Sequence, residues 1–350
     1  MTCRNRPISM PSNIWHDSGR PRIGEGPSRV TWLLLFVVGV TACISADTRT
    51  LHAGKPPITD IAVAPDGNSL VTVSQIGIQI FKWPELQRTR AIPTASANLH
   101  CVAFAPQTGL LAVGGGDPGE NGTVEIFSWP ATERIAKFNG HQDSVRSIAW
   151  VNPTRLLSAS IDRDVKLWNV AKPADSAPIT TSLATFRGHS RSVDAICLLE
   201  THNTLVSAGV DQSLRVWDLK TGKLVRSLNQ HTKPIHALAL RPSGSELPLV
   251  ASTAGDRTIR FWQPTIGRMV RYVRLDVEAL DIAWVRDGSH IVATCVDGQV
   301  RVVDADEVRV VQTLPAVQGW AYTIAVHPSD GSLIVGGSNG QLVRVVPSLR

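Results

Sequence analysis

The chain has 350 residues, of which 43% are hydrophobic and 18% charged, enough apolar material to bury a large core. Its formal net charge is +6, but half of that lies in the first 42 residues, where Arg4, Arg6, Arg20, Arg22 and Arg29 face only Asp17 and Glu25. The charge left over is too dilute for a nucleic-acid-binding face, so no nucleic-acid partner is expected.

The first element is apolar. Residues 31–46 read TWLLLFVVGVTACISA. The uncharged stretch from Trp32 to Ala42 is short of the roughly 20 residues that a membrane span needs, and it suits a signal-peptide core behind a basic flank. Val40 to Cys43 reads VTAC and resembles the lipobox of bacterial lipoproteins, which makes Cys43 a candidate for lipidation. Cleavage near Ala46 and an uncleaved signal anchor are the alternatives, and translation from Met10 stays open. The expected organisation is a targeting segment over 1–46 and a single repeat domain over 47–350. The expected location is extracytoplasmic: periplasmic, tethered as a membrane lipoprotein, or secreted. It becomes cytoplasmic if the first segment is misassigned.

Beyond residue 47 the chain repeats itself. Seven first strands share one rhythm: ITDIAVAPDG from Ile58, LHCVAFAPQTG from Leu99, VRSIAWVNP from Val145, VDAICLL from Val193, IHALALRPSG from Ile235, LDIAWVRDG from Leu280 and YTIAVHPSDG from Tyr322. A small residue recurs at Ala62, Ala103, Ala149, Cys197, Ala239, Ala283 and Ala325. Each unit continues with a strand of small polar residues, a tight turn around Asp or Asn, a strand ending in a large residue, and a fourth strand. That predicts four-stranded antiparallel sheets of about 43 residues, which bury both faces only when stacked radially. The fold class is therefore all-β, a seven-bladed propeller. The segment Thr48 to Leu51 parallels the outer-strand sequence near Arg226, so it is expected to complete the last blade and close the ring.

Three blades carry His, Ser, Asp and Trp together: His141, Ser158, Asp162 and Trp168; His189, Ser207, Asp211 and Trp217; His231, Ser252, Asp256 and Trp262. Ser, His and Asp suggest a hydrolytic triad. But Ser precedes Asp by four residues and Asp precedes Trp by six in all three sets. A catalytic triad is needed once; a set repeated at fixed spacing is architecture. Gly140-His141 and Gly188-His189, with Trp217-Asp218 and its variants, resemble the WD-repeat β-propeller family over residues 47–350. The resemblance implies that each set is a hydrogen-bonded brace from Asp through His and Ser to the Trp indole. Phe81, Phe127, Gln75, Asn121, Val303 and Asn339 show weaker motifs in blades 1, 2, 6 and 7, which predicts less rigid blades there.

Other constellations are weaker. Lys166, Arg215, Arg260 and Arg301 stand two residues before the large strand-end position and are expected at blade-to-blade contacts with hydrated heads. Arg268, Arg271 and Arg274 fall on an outer strand, where charge blunts edge pairing. GGGDPGENG, residues 114–122, is read as an inter-strand turn and not a phosphate loop. Cys101, Cys197 and Cys295 occupy separate strands and are expected as free, buried residues. No catalytic, cofactor or metal set is recognised. The resemblance instead implies a non-enzymatic scaffold for protein or peptide partners, bound on the face bearing Asp143, Arg146, Arg163, Arg191, Asp194, Lys233, His236 and Arg257. A propeller-type hydrolase or quinoprotein with a site in the central channel is the alternative, and an intracellular scaffold is the third reading.

Overall fold

The computed structural model describes residues 55–348 except 97, 171–178, 200–201 and 243–246, and these lie within one compact unit, His52–Arg350. The expected targeting segment, the candidate Cys43 and the expected closing strand at Thr48 to Leu51 all fall outside the described residues.

Seven antiparallel sheets follow one another along the chain. Blade 1 holds β1 (Asp60–Val63), β2 (Ser69–Ser74), β3 (Gly77–Lys82) and β4 (Gln87–Ile92). Blade 2 holds β5 (Leu99–Phe104), β6 (Leu110–Asp117), β7 (Asn121–Ser128) and β8 (Arg134–His141). Blade 3 holds β9 (Val145–Asn152), β10 (Arg155–Ser160), β11 (Asp164–Asn169) and β12 (Ala184–Arg187). Blade 4 holds β13 (Val193–Leu199), β14 (Thr204–Gly209), β15 (Leu214–Asp218) and β16 (Leu224–Leu228). Blade 5 holds β17 (Ile235–Leu240), β18 (Val250–Ala254), β19 (Thr258–Gln263) and β20 (Arg268–Arg274). Blade 6 holds β21 (Ala279–Trp284), β22 (His290–Cys295), β23 (Gln299–Asp304) and β24 (Arg309–Pro315). Blade 7 holds three described strands, β25 (Ala321–Val326), β26 (Leu333–Gly337) and β27 (Leu342–Val345).

In every blade the first strand is innermost. β1, β5, β9, β13, β17, β21 and β25 adjoin one another in that order, and β25 returns to β1. The chain is a closed seven-bladed propeller. The second strand of each blade is its most buried, as in β2, β10, β14, β18 and β22. The reason is position: these strands are covered on both faces by neighbouring blades, so they read as near-continuous small and branched apolar residues. The outer strands β4, β16 and β24 are largely exposed, and their charges sit where sheet edges meet water.

Trp168, Trp217 and Trp262 are buried to 1% exposure or less. Each contributes about 2–3 kcal/mol of hydrophobic stabilisation. The ring of Trp168 lies so close to Gly140 that a Cβ there would meet it at 2.6 Å, and Trp217 approaches Gly188 at 3.1 Å. That close approach is why glycine precedes the repeat histidine in blades 3 and 4.

Two sequence expectations need correction. The glycines of 114–122 are not all turn: Gly114 to Gly116 belong to β6, and only residues 118–120 bridge to β7. A Cβ at Gly115 would sit 2.0 Å from the Asn98 carbonyl, so backbone packing demands glycine there. The arginines before the strand end also behave differently. Arg301 donates to Asp297 of its own blade at 2.7 Å and its side chain is 4% exposed, so its head is not hydrated. Arg215 and Arg260 lie 3.9 and 3.5 Å from Asp211 and Asp256 of their own blades, whereas Lys166 makes the expected blade-to-blade contact, its Nζ donating to the Gly140 carbonyl of blade 2.

Candidate functional site

The structure brings the three repeated sets together with nearly identical geometry. In blade 3, His141 Nδ1 is 2.7 Å from Asp162, its Nε2 is 2.7 Å from Ser158 Oγ, and Trp168 Nε1 donates to the same Oγ at 2.7 Å. The corresponding distances are 2.9, 2.7 and 2.8 Å in blade 4 and again in blade 5. Each aspartate also accepts the backbone N–H that follows its histidine, at Gln142, Ser190 and Thr232. Burial pushes the carboxyls of Asp162, Asp211 and Asp256 up, but hydrogen bonds, those from the histidines among them, outweigh it and hold all three below the usual range.

These sets lack the access a nucleophile requires. Ser158, Ser207 and Ser252 are fully buried, and each Oγ is occupied by an indole N–H on one side and an imidazole on the other. Their chemistry is that of a satisfied polar network tying a turn to two strands.

Blades 6 and 7 replace the His, Ser and Trp of the network together. At the places of His, Ser and Trp, blade 6 has Leu275, Ala293 and Val303, all buried in one apolar cluster. Blade 7 has Val335 buried in another, with Val317 and Val345 partly buried against it. Losing His, Ser or Trp alone would strand the other two unpaired, so in these blades the three are exchanged together. Blade 6 keeps Asp297, and Arg301 bridges it to Asp276 at 2.9 Å. In these two blades an apolar fill, joined in blade 6 by an ion cluster, stands in place of the brace.

The central channel carries a site that the motif reading did not find. In six blades the innermost strand has a β-bulge three residues before the repeat small residue. The extra residues are His100, Arg146, Asp194, His236, Leu280 and Tyr322. A bulge re-aims a side chain out of the alternating pattern. All six line one cavity of about 530 Å³, together with Thr59 of blade 1 and residues of the next position. The sequence signal was present as polar residues on an otherwise apolar strand, but it follows no fixed residue type.

That next position stitches blades to each other. Asp60 accepts the N–H of Val102 at 2.8 Å, Ser147 that of Ile196 at 3.3 Å, and Asp281 that of Ile324 at 2.9 Å. Thr323 lies between two of these, with Oγ1 3.1 Å from Asp281 and 3.4 Å from Asp60. Burial and the neighbouring Asp281 carboxylate push Asp60 up to about 7, and burial also raises Asp281. In the same cavity, Arg146 of blade 3 donates to His100 Nδ1 of blade 2 at 3.1 Å, and burial with that cation pushes His100 down to about 4. Among the described residues, no group of three or more His, Cys, Asp or Glu could hold a metal ion.

Of the residues expected on the partner face, Arg146, Asp194 and His236 line the channel cavity. Asp143, Arg191 and Lys233 stand in the loops leading to β9, β13 and β17, and Arg163 and Arg257 in the turns β10–β11 and β18–β19. Arg163 and Arg257 adopt left-handed backbone at φ 77 and φ 60 just after the turn aspartate. Gly298 takes that place in blade 6 without the Cβ cost.

Residues 66–185 match the family model of the DDB1- and CUL4-associated factor 12 beta propeller, and residues 180–218 and 222–263 match that of the WD domain, G-beta repeat. These matches support the WD-repeat β-propeller family. Among similar proteins, THO complex subunit 3 of Arabidopsis thaliana is 29% identical over 58% of this chain and 63% of its own length. The B-type cell cycle switch protein ccs52B of Medicago truncatula is 27% identical over 65% and 46%, respectively. Nuclear distribution protein PAC1 of Arthroderma otae is 31% identical over 50% and 40%. The matched region thus spans between 40% and 63% of these WD-repeat relatives, all of them from plants or fungi.

Proposed function

We propose that this propeller is a non-enzymatic scaffold that holds a protein partner at the mouth of its channel. The observation that carries the reading is the bulge ring: six blades spend a β-bulge on aiming side chains of five types into one cavity. A purely structural channel has no need of that variety. The names of relatives as a complex subunit and a switch protein fit a partner-binding role. The enzymatic alternative draws on the two carboxylates that meet at Thr323. Against it, each carboxylate already accepts two backbone N–H groups and faces the Thr323 hydroxyl, which suits a stitch between blades.

The test is crosslinked co-purification of the full chain beside Arg146→Glu and His236→Glu variants. Loss of the same partner from both variants, with melting temperature unchanged, is the expected result. Partners retained by both variants would remove the channel mouth from the reading.

Export remains part of the proposal and rests on residues 31–46 alone. The relatives, from plants, fungi and animals, give it no support. Fractionation of the chain with and without Cys43→Ser decides it: a processed, membrane-associated form that needs Cys43 is expected, and an unprocessed cytosolic protein defeats it.

A further inference from the structure

We propose that the channel mouth receives a lysine or arginine side chain from an extended segment of the partner, packed on Tyr322 with its charge facing Asp60 and Asp281. This deepens the partner-binding reading and rests on it.

The charge balance of the cavity is the first support. Its wall carries three carboxylates, Asp60, Asp194 and Asp281, and one cation, Arg146. Arg146 is already engaged by His100 at 3.1 Å and lies 3.9 Å from Asp194. His236 is engaged by Glu278 at 2.7 Å. Among the described residues no ion pair reaches Asp60 or Asp281, so their only partners are backbone N–H groups and the Thr323 hydroxyl. Carboxylates withdrawn from water without a cation are costly, and a guest cation offsets that cost. An acidic segment or a nucleic-acid phosphate would add to it.

The second support is aromatic and independent of the carboxylates. Tyr322 lines the cavity, and Trp320 beside it is 50% exposed with its ring centroid 5.9 Å from that of Tyr322. A half-exposed tryptophan beside a cavity-lining tyrosine is the residue type that anchors interfaces, and aromatic faces attract cations. Both aromatics belong to blade 7, between Asp281 of blade 6 and Asp60 of blade 1. A cavity of about 530 Å³ is large enough for one long side chain and its flanking backbone.

The probe is a library of random heptapeptides displayed on phage and panned against the immobilised full chain. Selected peptides should share one Lys or Arg at a fixed position. Leu280→Lys places a competing cation in the mouth without touching the stitches, and it should weaken a selected synthetic peptide by about tenfold or more. Leu280→Gln should change affinity by less than about threefold, and Trp320→Ala should weaken it. Melting temperatures confirm that the variants fold. If the selected peptides lose affinity on Trp320→Ala but show no preference for Lys or Arg, the cation inference falls and the partner-binding reading stands. If no peptides are selected, or binding ignores both Leu280→Lys and Trp320→Ala, both fall.

Discussion

Trp83 stacks on His327 with ring centroids 4.3 Å apart and planes 10° from parallel, joining the first blade to the last. Arg344 of blade 7 covers the same indole ring, its guanidinium carbon 4.9 Å from the centroid. His327 also reaches the Gly67 carbonyl of blade 1 at 3.0 Å. The junction of the first and last blades is therefore clamped by a cation, an indole and an imidazole.

Trp83→Ala should open this clamp. It removes a side chain that is 9% exposed and leaves a cavity beside Ile61 and Leu70. The expected cost is about 3–5 kcal/mol. Trp83→Phe keeps a ring for His327 and should recover more than half of it. Urea denaturation of both variants checks the claim, and a loss below about 1 kcal/mol for Ala would show the clamp to be passive.

Ser207→Ala tests whether the repeated sets act as units. The change strands the Trp217 indole N–H and the His189 Nε2, and should cost about 1–3 kcal/mol. Combining it with His189→Leu moves blade 4 toward the apolar arrangement of blade 6. The double variant should lose less than the two single losses added together, because all three residues share one network. Strict additivity would mean that the residues are not coupled.

Arg301 offers the complementary case. Arg301→Met removes the link between Asp297 and Asp276, and Asp276 is held below the usual carboxylate range first by its hydrogen bond to this arginine. Asp276 is 71% exposed and rehydrates once freed, so the loss should be modest, about 1 kcal/mol. Its pH dependence has a fixed sign. A depressed carboxyl stabilises above its unfolded pKa of about 4 and loses that contribution as pH falls through the folded value. The gap between wild type and variant should therefore narrow in acid; a constant gap from pH 3 to pH 7 would refute the assignment.

The repeats and the braces were legible in the sequence because each rests on a period. Seven small residues at nearly constant intervals give the blades, and the fixed offsets from Ser158 to Asp162 to Trp168 recur in two more places. The replacement fills were harder to read. Leu275, Ala293 and Val303 are ordinary apolar residues whose joint meaning shows only once they share a cluster. The channel ring was hidden for a different reason. A β-bulge shifts register by one residue, so His100, Leu280 and Tyr322 occupy one structural position with no chemistry in common. The stitches at Asp60 and Asp281 join different blades, and a reading confined to one repeat at a time does not pair them.

Asp60 supplies the last prediction, and its sign is opposite to that of Arg301. Burial, and then Asp281, push this carboxyl up to about 7, against about 4 in the unfolded chain. Between those values the folded protein holds a proton that the unfolded chain has released. Stability contributed at this site is therefore present below about pH 4, falls as pH rises toward 7, and is flat above it. Asp281 is raised as well and acts in the same direction. His100 and His231, both lowered first by burial, act in the opposite direction, because the unfolded chain takes up their protons as pH falls below about 6.5. The informative quantity is thus the difference between wild type and Asp60→Asn, in which the histidine contributions cancel. Asparagine keeps an acceptor for the Val102 N–H and carries no charge. Relative to wild type, the variant should gain at least about 1 kcal/mol between pH 5 and pH 8, a figure set low because Asp60 opens onto the channel. Urea denaturation at pH 5, 6, 7 and 8 measures it. Parallel curves for the two proteins would mean that Asp60 stays ionised throughout, with its charge compensated inside the channel.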